Sequence, residues 1–146
     1  MAKRILVPLD RSAASEAVLP IVADIARSAG STVRLLNVQP VPALVVAEYG
    51  RVVAYEDQEM ARLEAKGQIY LEGIEAALHG ISVERVVRFG EPAREILVEA
   101  DAWDAELIVM AGRPTTWLPR LGRGDVAGAV SRRATTPVLR YQWRAR

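Results

Sequence analysis

Glu106-Leu-Ile-Val-Met-Ala-Gly-Arg-Pro-Thr-Thr-Trp-Leu-Pro-Arg-Leu-Gly-Arg-Gly-Asp-Val-Ala-Gly-Ala-Val-Ser-Arg-Arg-Ala-Thr-Thr-Pro-Val-Leu139 is the stretch from which the rest of the chain can be read. Its apolar run, Leu107 to Ala111, is what a strand covered on both faces of a parallel sheet needs, and Gly112 and Pro114 break that run into a loop. The loop carries Arg113, Arg120 and Arg123. Asp125 then stands where it caps a short helix whose apolar residues Val126, Ala129 and Val130 recur at helical spacing. Pro137 stops the helix, and Val138 and Leu139 open another strand. A strand, a basic glycine-containing loop, a helix start and a second strand make an architecture suited to phosphate. Free N–H groups at a helix start favour an anion, and glycine lets it approach the backbone.

Upstream, the same alternation repeats. Arg4-Ile-Leu-Val-Pro8 is a short apolar run, expected as a first strand in the sheet centre. From Ser12, the residues Ala14, Val18, Ile21, Val22, Ile25 and Ala29 keep helical spacing up to Gly30. Pro20 lies inside that pattern and predicts a kink near Glu16, the residue whose carbonyl loses its donor. Val33 to Val38 reads as the second strand and Gln39 to Pro42 as the loop leaving it, while residues 43–55 fit either a flap or a helical turn. Helical spacing returns at about Glu56 and runs through Met60, Leu63, Tyr70, Leu71, Ile74 and Leu78, with Gly80 as its stop. Val83 to Phe89 is a third strand. Gly90-Glu-Pro92 is a turn with proline at a first helical position, and the helix after it buries Ala93, Ile96, Leu97 and Ala100. Strand and helix alternate four times before a last strand, which predicts one α/β domain over residues 1–146 with a parallel sheet and helices on both faces.

The totals narrow the function classes. The 146 residues are 51% hydrophobic and 25% charged, with a formal charge of +1, so there is no basic footprint for nucleic acid over the whole chain. No apolar run approaches the roughly 18 residues that span a bilayer, and a cytoplasmic location is expected. Cysteine is absent, which removes disulfides, thiolate nucleophiles and cysteine zinc sites; one histidine, His79, cannot alone form a metal site. His79 reads as a helix C-terminal cation. The carboxylates Glu56, Asp57, Glu59 and Glu64 read as a solvated helix face. Trp103, Trp117 and Trp143 are scattered, with loop residue Trp117 a lid or a packing residue. No Ser-His-Asp arrangement is supported.

Taken together, Ile5-Leu-Val-Pro-Leu-Asp10-Arg-Ser12, Leu35-Leu-Asn-Val38, Gly90-Glu-Pro92 with Ile96, and the opening stretch resemble the universal stress protein family in order and spacing over nearly the whole chain. That family's last motif is Gly-x2-Gly-x9-Gly-Ser/Thr. Laid without gaps on this chain, its glycines fall on Ala111, Pro114 and Gly124 and its hydroxyl residue on Asp125, so one of four positions is retained. The resemblance implies a five-stranded parallel Rossmann-like sheet in order 3-2-1-4-5, a homodimer formed through the last strand, and in one branch a bound ATP or AMP. It also implies that Pro8 and Val38 line an adenine pocket and that Asp10 contacts the nucleoside.

From the residues alone, Asp10 either accepts from a ribose hydroxyl at a strand's carboxyl end or caps the first helix, two compatible roles. The expected nucleotide-binding residues are Pro8, Asp10, Val38, Ala111, Arg113, Gly124 and Asp125. Pro114 lacks an N–H, and Asp125 puts a carboxylate where the family offers a hydroxyl, so AMP or adenosine is expected in preference to ATP. Val138, Leu139, Arg140 and Tyr141 are the expected dimer interface, with Arg140 alternatively guarding a monomeric edge. The leading function is a dimeric stress-response or signalling module with no catalytic or metal residues. A structural dimerisation domain without nucleotide is the first alternative. The second is an ATP-pyrophosphate-cleaving enzyme, but such enzymes carry Ser-Gly-Gly-x-Asp-Ser after strand one, and Pro8-Leu-Asp-Arg-Ser-Ala13 contains no glycine.

Overall fold

Five parallel strands form one sheet in the order β3-β2-β1-β4-β5, the order implied by the family resemblance. The computed structural model describes residues 2–42, 55–112 and 125–142. The strands are β1 (Arg4–Pro8), β2 (Thr32–Gln39), β3 (Ser82–Phe89), β4 (Leu107–Gly112) and β5 (Val138–Gln142), and the helices are α1 (Ala13–Glu16), α2 (Leu19–Ala29), α3 (Tyr55–Ala76), α4 (Pro92–Trp103) and α5 (Val126–Arg133). The two most apolar runs are neighbours at the sheet centre, with Ile5 opposite Leu107 and Leu6 opposite Ile108. Both runs are covered on both faces, so each successive side chain goes to a different layer. Ile5, Val7, Val33, Leu35 and Val109 pack with Val22 and Ala26 of α2 and Leu71 and Ile74 of α3. Leu6, Leu36, Ile108 and Met110 pack with Ala93, Ile96 and Ala100 of α4 and Ala127 and Val130 of α5.

Three local expectations are corrected. Pro20 does not kink one long helix: the chain breaks at Ala17 and Val18, and Pro20 falls in the first turn of α2, where a missing N–H costs no intrahelical bond. Gln39 belongs to β2 and is buried rather than opening a loop. α3 ends at Ala76, so His79 lies three residues past it in an exposed turn, where its backbone carbonyl accepts from Arg27 Nη2 at 3.2 Å. Other stops hold as read. Gly30 ends α2 in the left-handed conformation at φ 64°, and Pro92 opens α4 behind an N-cap Glu91. On α5 the buried residues are Ala127, Gly128 and Val130, while Val126 and Ala129 are half-buried.

The edges of the sheet differ in chemistry. β3 carries Glu84, Arg85 and Arg88, and these are tied into ion pairs. A charged cluster around the buried Glu99 also joins this edge to α4. Glu99 accepts from Arg34 Nη1 at 2.6 Å and from Arg88 Nη1 at 3.0 Å, Arg34 also binds Glu84, and Arg88 also binds Glu95. The Arg34 guanidinium stacks 4.4 Å over the Trp103 ring. Burial opposes the charge on each arginine, yet their carboxylate bonds hold both guanidinium pKa values above the usual range. At the opposite edge, the β5 residues Leu139 and Tyr141 are 40% and 38% exposed.

Candidate functional site

From β1 the chain passes outward to β2 and β3, then crosses back to β4 and β5 on the other side. The crevice beyond the carboxyl ends of β1 and β4 is therefore the topological switch point, where open α/β sheets take ligands.

On the β1 side, Pro8 is buried opposite Leu36, and Leu9 N–H extends the ladder to the Leu36 carbonyl at 2.8 Å. The turn that follows is set by short polar side chains. Asp10 Oδ1 accepts from Ser12 N–H at 2.9 Å, Ser12 Oγ accepts from Ser15 N–H at 3.1 Å, and Asp10 N–H donates to Ser15 Oγ at 3.3 Å. Ser12, not Asp10, is thus the N-cap of α1, and Asp10 instead fixes the turn before it as an Asx-type acceptor. Its carboxylate stays at the exposed mouth of the crevice.

Arg11 turns the chain in the left-handed region at φ 74°, a conformation that costs a residue with a Cβ on the order of 1 kcal/mol. Its guanidinium carbon lies 6.0 Å from the centroid of the Tyr70 ring. The Tyr70 hydroxyl donates to Glu16 Oε2 at 2.8 Å. Burial first, and then that bond, push the phenol above its usual range, so it remains a neutral donor.

Beneath this turn lies a buried amide pair that the sequence reading missed. Asn37 Nδ2 donates to the Leu9 carbonyl at 2.9 Å, and Asn37 Oδ1 accepts from Gln39 Nε2 at 2.7 Å. The visible signal was a polar residue inside Leu35-Leu-Asn-Val38, an apolar strand. Gly67 of α3 makes room for it, since a Cβ there would lie 2.9 Å from Asn37 Oδ1.

On the β4 side, Asp125 caps α5 with its carboxylate: Oδ1 accepts from Gly128 N–H at 2.9 Å. Oδ2 pairs at 3.4 Å with Nη2 of Arg140, which crosses from β5 over Gly112. Among the expected residues, Pro8 ends β1, Val38 and Ala111 each stand one residue before the end of β2 and β4, Asp10 lies in the turn after β1, and Asp125 is the N-cap of α5. Val38 and Ala111 are half-buried and face opposite layers of the sheet. Arg113 and Gly124 lie outside the described residues, as do Arg120, Arg123, Trp117 and Trp143. Among the described residues no cluster of three or more potential metal ligands occurs, and no helix is long and apolar enough to cross a membrane.

This geometry has counterparts. A curated relative, universal stress protein YxiE of Bacillus subtilis (strain 168), is 28% identical over 145 residues, covering 95% of this chain and 98% of its own. The solved structure of hypothetical protein MJ0577 superposes with a TM-score of 0.80 at 25% identity, covering 99% of this chain and 98% of that one. The universal stress protein from Archaeoglobus fulgidus in complex with dAMP superposes with a TM-score of 0.56 at 25% identity, over 94% of this chain and 95% of its own. The family model for the universal stress protein family matches residues 1–142, essentially the whole sheet with its switch-point crevice, and the chain belongs to that family.

Proposed function

We propose that this protein is a stress-response or signalling module that binds an adenine nucleoside, or a nucleotide no larger than AMP, beyond β1 and β4. The observation that carries this reading is Asp10. Its carboxylate is held at the crevice mouth by the Ser12 N–H bond, beside the buried wall of Pro8 and near the end of β2 at Val38. A carboxylate placed there suits a ribose hydroxyl pair, and an apolar wall suits a purine. The dAMP complex of the Archaeoglobus fulgidus relative supports the same ligand class.

The test is titration calorimetry with adenosine and AMP on the native chain and Asp10→Asn. Asparagine keeps the turn acceptor while removing the charge, so adenosine affinity should fall about tenfold or more. Unchanged affinity in a folded Asp10→Asn protein rejects the ribose role, and absence of binding to the native chain rejects the nucleoside reading.

The same module is proposed to act as a homodimer through β5. The β3 edge is guarded by charge, whereas β5 offers Leu139 and Tyr141 on an unpaired edge. Val138 packs inward against the α4–α5 layer, so Leu139 is the residue to change. Sedimentation should show a dimer at tens of micromolar that Leu139→Asp converts to a folded monomer. A native monomer, or a dimer indifferent to the substitution, defeats this arrangement.

A further inference from the structure

We infer that Gln39, buried at the end of β2, is a positioning residue for the nucleoside: acting through Asn37, it fixes the peptide that aims the Asp10 carboxylate at the ribose. This rests on the nucleoside reading above and deepens it.

The planar peptide between Leu9 and Asp10 is held at both poles. Its carbonyl accepts from Asn37 Nδ2 at 2.9 Å, and its N–H donates to Ser15 Oγ at 3.3 Å. Tilting that plane changes ψ of Leu9 and φ of Asp10 together, which re-aims the bond carrying the carboxylate. Upstream there is little slack, because the Leu9 N–H is bonded to the Leu36 carbonyl at 2.8 Å. The weak point is the Asn37 amide. A terminal amide torsion is broad and roughly two-fold, and a reversed amide would set its oxygen against the Leu9 carbonyl, acceptor facing acceptor. Gln39 removes that alternative: its Nε2 donates to Asn37 Oδ1 at 2.7 Å, a bond that requires an oxygen at that place. Residues 37 and 39 share one face of β2, so the strand itself brings donor to acceptor. The Gln39 carbonyl accepts in turn from Gly90 N–H at 3.0 Å, which anchors the donor to the turn after β3. Asn37 and Gln39 are buried, and a Cβ at Gly67 would lie 2.9 Å from both Asn37 Oδ1 and a Val87 methyl, so there is little room for water to replace the donor.

The test compares adenosine with adenine, which lacks the ribose, by calorimetry on the native chain and Gln39→Met. Methionine keeps the length of the side chain and removes the donor. Adenosine affinity should fall about fivefold to tenfold, the equivalent of one buried hydrogen bond, while adenine affinity stays within about twofold. Ser15→Ala releases the other pole of the same peptide and should give the same pattern, and the two substitutions together should cost less than the sum of each. Without ligand, amide hydrogen exchange at Asp10 and Ser12 should quicken about tenfold in Gln39→Met relative to Ile5 to Val7. Equal losses for adenosine and adenine, or unchanged adenosine affinity in a folded Gln39→Met protein, overturn the inference. If the native chain binds neither ligand, the nucleoside reading fails, and the exchange comparison still decides whether Gln39 holds the turn: unchanged exchange at Asp10 and Ser12 rejects it.

Discussion

Glu99→Leu is expected to lower the unfolding free energy by about 3 kcal/mol, the lower end of what breaking a buried ion pair costs. Glu99 is 4% exposed and bonds two guanidiniums, from Arg34 on β2 and Arg88 on β3. Removing it leaves both cations short of a partner in a place that water reaches poorly. Two features keep the loss from the upper end of the range. Arg34 retains Glu84 and Arg88 retains Glu95, and their side chains are 21% and 30% exposed, enough to turn partly outward. Urea denaturation checks the figure through a lower midpoint at unchanged slope. Replacing the inner set together, Arg34→Met with Arg88→Met, Glu95→Leu and Glu99→Leu, should recover most of the loss, because an apolar set of similar volume carries no desolvation penalty and leaves no buried carboxylate without a partner. A single Glu99→Leu with native stability would show that the two outer carboxylates suffice.

Asn37→Leu is expected to have an effect of similar size, about 2 to 4 kcal/mol, and to weaken nucleoside binding as well. The side chain is 2% exposed, and its loss strips the Leu9 carbonyl and the Gln39 amide of their partners inside the core. A stranded buried polar group costs about 1 to 3 kcal/mol, and there are two here. Gly67 and Val87 pack close, so the replacement has little room to relax. Leu9 is joined directly to Asp10, and a shift of its carbonyl tilts the turn that presents the carboxylate. Chemical denaturation measures the first effect and adenosine calorimetry the second. Lost stability with intact affinity would mean that the Ser12 and Ser15 bonds alone hold Asp10 in place.

Much of the architecture was legible because each element reports its own environment. Ile5 to Val7 and Leu107 to Met110 are apolar at every position, which only a strand covered on both faces requires, and both lie at the sheet centre. Gly30 and Pro92 mark helix ends through backbone geometry that neighbouring residues decide. Pro20 was misplaced for the same reason in reverse: the spacing of Val18, Val22 and Ile25 continues through a break, since apolar periodicity records which side is buried and not where hydrogen bonds stop.

Periodicity and backbone chemistry alone give the order of the elements, the buried strands, and Asp125 as the cap of α5. Which polar groups meet depends on long-range packing. Arg34 finds Glu99 across 65 positions and Asn37 finds Leu9 across 28, and no local period encodes such distances. Arg140 looked like an edge or interface residue. Its place on β5 opposite Met110 turns it to the face carrying α5, where the missing side chain of Gly112 lets it reach Asp125. Charge and pairing at a site depend on which side chains the sheet register brings within a few ångströms of each other, and that register exists only once the chain has folded.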